Sequence, residues 1–136
     1  ELVVRCFGTD FEISFAEPTM FVMIGVAALA PSARLAEINA GPNSEYVAAT
    51  GAILQRILTH GKRRMVKGRT LEDLVWAIEA LEAGYLLRRR SAPDITDRAV
   101  KGRTVVQAAV LALVEQFTEA LPERSASSTA RGRRSD

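Results

Sequence analysis

Apolar and polar residues alternate along residues 2–15, on either side of Gly8 and Thr9. Glycine in the first position of a two-residue loop is typical of a type II′ turn, so the pattern predicts an N-terminal β-hairpin. One face of this hairpin is apolar, and Arg5 faces Glu12 on the other. Because an isolated hairpin is only marginally stable, we expect helices, or strands of another copy, to cover its apolar face.

The remainder of the chain shows the spacing of helices rather than of strands. Residues 20–30 are almost entirely apolar, which predicts a buried helix or an interface between copies. Pro18 ends the preceding strand because proline cannot donate a ladder hydrogen bond. Farther along, the pattern predicts helical residues 33–38 after Pro31, a break at 41–44, a helix over 45–60, a helix over 71–87 closed by the basic residues 88–90, a break at 91–94, one turn within 95–100, and a helix over 105–121 ended by Pro122.

These elements predict a mainly helical α+β fold in a single globular domain over residues 1–122. The hairpin occupies residues 1–16, and a bundle of about four to five helices occupies residues 19–122. Residues 123–136 consist of small and polar residues with several arginines and contain no large apolar side chain. Such a segment buries too little apolar surface to order itself, so we predict a disordered basic tail.

The pentapeptide Val66–Thr70 is repeated at Val100–Thr104, and each copy precedes a helical pattern. The threonine in each copy is placed to cap the free N–H groups of the first helical turn. Three residues later, Gln107 suits the reciprocal half of a capping box, whereas Asp73 is short for that role but favours the positive end of the helix dipole. The apolar stripes that follow are out of phase, so we interpret the repeat as reused capping chemistry rather than duplication.

The composition is typical of a globular protein. The chain has 136 residues, 48% of them hydrophobic, and a formal net charge of +2. Cys6 is the single cysteine, so we expect a small buried apolar side chain and no intramolecular disulfide. His60 is the single histidine and has no cluster of metal-ligating residues around it. The apolar run at 20–30 is shorter than a membrane span and follows no basic leader, so we expect a cytoplasmic protein.

Positive charge is concentrated at a few points and leaves an anionic partner possible. If the two pentapeptide turns lie side by side, Lys67, Arg69, Lys101 and Arg103 form one positive patch. A helix start flanked by such residues can hold a phosphate, although a capped helix with a solvated loop is the simpler interpretation. The full candidate patch for an anion or nucleic acid is Lys62, Arg63, Arg64, Lys67, Arg69, Arg88, Arg89, Arg90, Lys101 and Arg103, extended by the arginine-rich tail.

No arrangement of residues predicts catalysis. Glu72, Glu79 and Glu82 share a predicted helix, but their spacing is more typical of a solvated face than of a catalytic pair. We therefore predict no catalytic residue, no metal ligand and no cofactor. An enzyme of an unrecognised class is the second alternative, after a nucleic-acid-binding protein.

The order of elements and three short motifs suggest a family. The motifs are the strand Phe11–Phe15, the helix start Thr70–Leu74 and the segment Leu81–Tyr85. Residues 2–85 resemble the small tail assembly chaperones and related morphogenesis proteins of long-tailed bacteriophages. The resemblance implies a non-enzymatic protein that binds other tail proteins, and a structural component of the virion fits equally well.

The resulting prediction is a non-enzymatic protein–protein interaction protein in a self-associating assembly, of the kind found in phage tail or virion morphogenesis. Met20, Phe21, Met23 and Ile24 are its candidate residues, as core or as interface. The partners are other copies or other phage structural proteins, added to the edge of the hairpin or to the apolar helix. No membrane or small-molecule partner is predicted. The main alternative is a small nucleic-acid-binding protein that uses the basic clusters and the tail.

Overall fold

The structure, a computed structural model, describes residues 2–122 and is mainly helical, as the sequence predicts. Two pairs of short antiparallel strands complete it. Its elements are α1 (Leu2–Ala16), α2 (Pro18–Leu29), α3 (Ser32–His60), β1 (Arg63–Met65), α4 (Leu71–Ser91), α5 (Pro93–Thr96), β2 (Ala99–Val100), β3 (Arg103–Thr104), α6 (Val105–Phe117) and β4 (Thr118–Ala120).

The predicted N-terminal hairpin is wrong, because α1 is one continuous helix. Its buried residues are Val3, Val4, Phe7 and Phe11, which lie on one helical stripe at intervals of four residues or fewer. In the hairpin, Phe7 would have faced away from Phe11, so a strand cannot bury both. The helix buries them together against α4 and α6, and this burial favours the helix over the alternating pattern.

Two further expectations about this segment are also wrong. Cys6 is exposed rather than buried, because it lies beside the helical stripe that faces the core. Arg5 and Glu12 do not pair across strands; the Glu12 carboxylate instead accepts a hydrogen bond from Arg89 at 2.8 Å.

The next two helices differ from the prediction in length. Glu17 caps α2 by accepting a hydrogen bond from the backbone N–H of Thr19, and Pro18 occupies the first turn, where its missing N–H is harmless. Helix α3 has 29 residues and is about 44 Å long. The break predicted at 41–44 is absent, because glycine, proline and asparagine weaken a helix locally without forbidding it.

The second half of the chain follows the prediction more closely. Helix α4 begins at Leu71 as predicted. Helix α6 begins at Val105 but ends at Phe117, since the next residues form β4 and pair with β1 in the register Arg63 to Ala120. Neither strand pair was predicted, and the turn expected within 95–100 lies at Pro93–Thr96, followed by β2.

Helix α4 is central, with α1, α3 and α6 against it and α1 also against α6. The C-terminal half of α3 supplies Leu54 and Leu58 to this core. The other buried apolar residues are Val3, Val4, Phe7, Phe11, Leu74, Val75, Ile78, Tyr85, Leu86, Val106, Val110 and Val114. The core is therefore built from α1, α4, α6 and one end of α3, with little from the chain between α1 and that end.

Candidate functional site

The chain between α1 and the end of α3 contributes little to the core. Among residues 12–50 whose burial is described, none is buried. We call residues 18–45, which comprise α2 and the first half of α3, the exposed segment. Its apolar side chains reach high exposure: Met23 is 65% exposed, Leu29 is 89% exposed and Ile38 is 59% exposed.

Helix α2 carries two apolar stripes on opposite sides. The inner stripe, Met20, Phe21 and Ile24, is half-buried and contacts the core. Phe21 meets Phe15 edge to face at 5.9 Å between ring centroids. The outer stripe consists of Val22, Met23, Val26 and Leu29, all exposed.

The predicted interface residues are thus divided between the stripes. Only Met23 belongs to the outer stripe, which otherwise consists of residues that sequence reasoning missed. Helical phase could have found them, since positions 22, 26 and 29 share one side of a helix and their mean direction points away from that of positions 21 and 24.

The first part of the exposed segment contains no charged residue. No acidic or basic residue occurs between Glu17 and Arg34. Within residues 2–122, no single helix is long and apolar enough to cross a membrane, and α1 with α2 reach that length only as a pair bent by 85°. An apolar partner can therefore cover α2 without burying an unpaired charge of this chain.

Two arginines of the basic cluster at 62–64 hold strand β1 against strand β4. The guanidinium of Arg63 donates to the Thr118 hydroxyl at 2.7 Å and to the Thr118 carbonyl at 2.9 Å. Arg64 pairs with Glu119 on the facing strand at 2.8 Å. These contacts join two segments that are far apart in the sequence, so both arginines have a structural role.

Two arginines of the basic cluster at 88–90 connect α4 with α1 and α2. Arg89 pairs with Glu12 of α1 at 2.8 Å and with Asp97 at 2.9 Å, and its guanidinium lies 4.5 Å from the ring centroid of Phe15. Arg90 lies 4.6 Å from the ring centroid of Phe21 in the same way. The structure therefore engages both residues in holding α1 and α2 against α4.

The repeated pentapeptide forms two different turns. Gly68 has a φ of 85° in the first copy, whereas Lys101 and Gly102 have φ values of 52° and 75° in the second, as in the type I′ turn of a hairpin. Arg69 lies 5.1 Å from the ring centroid of Phe117, the last residue of α6. The second turn precedes the first residue of α6. Because α6 has 13 residues, about 20 Å of helix separates the turns, and they form no single patch.

Both helix starts carry a complete capping box. The backbone N–H of Thr70 donates to Asp73 at 2.8 Å. Aspartate is therefore long enough to complete the reciprocal half of the capping box, contrary to the prediction that it is too short. This hydrogen bond and the one from the Thr70 hydroxyl lower the pKa of Asp73. The corresponding distance from Thr104 to Gln107 is 3.0 Å. The Asp73 carboxylate already accepts the Thr70 N–H and adds negative charge at this helix start, which disfavours a bound phosphate there.

Polar side chains meet where α1, α3 and α4 come together. Glu82 is 7% exposed, and its Oε1 has no hydrogen-bond partner among the described residues. Burial raises its pKa, a hydrogen bond with Ser14 opposes this, and the nearby carboxylates Asp10 and Glu79 raise it further. Burial and the charges of Glu79, Glu82 and Asp10 also raise the pKa of Tyr46 from α3.

The prediction that Glu82 lies on a solvated face is therefore wrong. Glu82 lies four residues after the buried Ile78, on the core side of α4. Residues 2–122 contain no group of three or more histidine, cysteine, aspartate or glutamate side chains arranged to hold a metal ion.

A cavity of about 210 Å³ lies between α1, α4 and the start of α6. Its polar side chains are already paired: Arg89 with Glu12 and Asp97, and Thr104 with Gln107. These contacts leave few polar groups in the cavity to orient a substrate.

No protein-family model, curated protein or solved structure matches the chain. The predicted arginine-rich tail, residues 123–136, lies outside the described residues. The exposed segment is consequently the strongest candidate for a functional surface, and α2 is its most apolar part.

Proposed function

We propose that this protein acts through protein–protein interaction in a self-associating assembly, and that the exposed segment is its interface. The observation that carries the proposal is the outer stripe of α2, with Val22, Met23, Val26 and Leu29 between 54% and 89% exposed. Burying apolar surface is favourable by about 25 cal/mol per Å². Contiguous exposed apolar residues on a soluble protein therefore mark an interaction surface.

The size of the exposed segment supports the same function. A standard protein interface uses roughly 20 to 30 residues on each side, and residues 18–45 fall within that range. Its first half is apolar, and charges such as Arg34 and Glu37 appear only in α3. An apolar centre with a more polar border is the usual composition of a stable interface.

A role in phage tail or virion morphogenesis is the specific form of this proposal. It rests on the resemblance of two sequence motifs: Thr70–Leu74, which caps and begins α4, and Leu81–Tyr85, which lies within α4. The strand Phe11–Phe15 does not support it, because these residues are helical. Whether the protein is an assembly chaperone or a structural component, its proposed partners are other copies and the neighbouring proteins of the assembly.

The alternative of nucleic-acid binding is less well supported. Arg63, Arg64, Arg89 and Arg90 have structural partners, and the two basic turns lie at opposite ends of α6. Phosphate binding would reveal itself as an affinity that falls steeply with salt.

Light scattering coupled to size exclusion, over a range of protein concentrations, tests the proposal. Wild type should form a dimer or larger species, and Val26→Glu should weaken association at least about tenfold, a change of 1.4 kcal/mol. Val105→Glu is the matched control, because both valines lie on helices and are 54% and 52% exposed. A wild-type monomer at every concentration, or equal effects of the two variants, would contradict the proposal.

A further inference from the structure

Gly25 lies in the interior of α2, where the single chain gives no reason for a glycine. A Cβ built at this position meets no described atom within 4 Å. Glycine is less favourable than alanine inside a helix, because it loses more backbone freedom on folding. The residue is therefore tolerated here although no residue among 2–122 needs the space beside it.

Gly25 belongs to the outer side of α2. It follows Val22 by three residues, precedes Leu29 by four and adjoins Val26, so all four positions face away from the core. The absence of a side chain makes a notch in the outer stripe. At such a notch another helix backbone can approach more closely than at any neighbouring position.

The outer stripe itself indicates what the other helix is. A partner with charged residues at the contact would leave them buried and unpaired, because α2 offers no charge to meet them. A second α2 offers an uncharged apolar face of equal length, with a notch at the same place. A two-fold axis brings identical patches together, and two uncharged apolar faces can meet there without burying an unpaired charge.

We propose that α2 lies against α2 of a second copy, with the two helices crossing at Gly25 and Val26. This inference rests on the proposed function, since it names the partner and the contact of that self-association.

The glycine provides a test in which folding and association change in opposite directions. Gly25→Ala should raise the midpoint of thermal unfolding of the dissociated chain, because the space is open and alanine favours the helix. The same change should weaken association about tenfold or more, because the new methyl group separates the helices. Gly84→Ala is the control, since Gly84 is an exposed glycine of α4 with no described atom near its Cβ position. It should raise the midpoint and leave association unchanged.

Oxidative cross-linking locates the contact independently. The native thiol is removed by Cys6→Ser, and Val26→Cys in that background should form a disulfide-linked dimer, since the crossing brings the Cα atoms within the required distance of about 4.4–6.8 Å. Val105→Cys in the same background should remain monomeric on a denaturing gel.

The possible results separate the two proposals. Self-association that Gly25→Ala leaves unchanged and Val26→Cys does not trap would overturn the α2 contact and leave the proposed function standing. A monomer at every concentration would overturn both. Sedimentation of a monomer with vesicles of neutral phospholipid would also overturn both, because lipid would then cover the outer stripe.

Discussion

Replacing Glu82 by glutamine is expected to stabilise the fold at neutral pH. Glu82 lies on the core side of α4 near Ser14 and Asp10 of α1, is 7% exposed and has an Oε1 without a hydrogen-bond partner among the described residues. Its neighbours are unfavourable to a negative charge, since Asp10 and Glu79 are themselves acidic and Tyr46 offers no cation. Glutamine has the same shape as a protonated glutamate and removes the charge.

The sign of the pH dependence follows from the raised pKa. The folded state holds the Glu82 proton more tightly than the unfolded state. The stability that this protonated side chain contributes is therefore fully present below the ordinary pKa of 4.5. That contribution is lost as the pH rises through the higher folded pKa. A buried polar group without a partner costs about 1–3 kcal/mol, and a charged one costs more. Glu82→Gln should therefore raise the free energy of unfolding by about 1–3 kcal/mol at pH 8 and change it little at pH 4.

Urea unfolding followed by circular dichroism, at several pH values between 4 and 8, measures this difference. Asp10 and Glu79 also have pKa values raised by burial, so the variant should retain a weaker pH dependence rather than none. Glu115→Gln removes the same charge at an exposed position of α6 and serves as the control. The reasoning fails if the two variants are equally stable relative to wild type at pH 8, or if Glu82→Gln leaves the pH profile unchanged.

Three further predictions concern the fold. Gly8→Ala should raise the free energy of unfolding by about 0.5–1 kcal/mol in thermal unfolding, because alanine is more favourable than glycine inside a helix. The new Cβ has room, since the nearest side-chain atom would lie 3.5 Å away. If Gly8 were instead the first position of a type II′ turn, the same substitution would lower the free energy of unfolding. Thr104→Ala should lower the free energy of unfolding in urea by about 1 kcal/mol through loss of the cap, whereas Thr59→Ala, on an exposed helix surface, should change it by less. Arg89→Lys should destabilise by about 1–2 kcal/mol in the same assay through loss of its two-sided hydrogen bonding, and the exposed Arg88→Lys should be neutral.

Short-range chemistry made part of the fold predictable. The starts of α4 and α6 depend on Thr70 and Thr104 and on a side chain three residues later, and all of these are visible in the sequence. The pairing of β1 with β4 is different, because Arg64 and Glu119 meet across a long stretch of chain. Strands of three residues carry no periodic signal, and only the tertiary structure brings them together.

The candidate surface was predictable only in part, for a related reason. The apolar run at 20–30 indicated a buried helix or an interface, and the structure gives it a half-buried inner stripe and an exposed outer stripe. Which side stays exposed depends on Phe21 lying against Phe15 and Arg90, and these contacts require α1 and α4 to be in place. Burial of Glu82 escaped prediction because glutamate normally indicates a solvated face.

The helix at residues 2–16 also determines which surface is left for the proposed self-association. Residues 2–15 satisfy two periods at once, and the strand interpretation would have offered a free edge for a partner strand. As a helix, α1 satisfies its backbone hydrogen bonds internally and buries Val3, Phe7 and Phe11 in the core, so it offers no such edge. Phe15 then meets the inner stripe of α2, and the outer stripe is left facing away from the core. The same packing that excludes strand addition at the N-terminus therefore leaves the outer stripe of α2 exposed, and this is the surface that we propose for self-association.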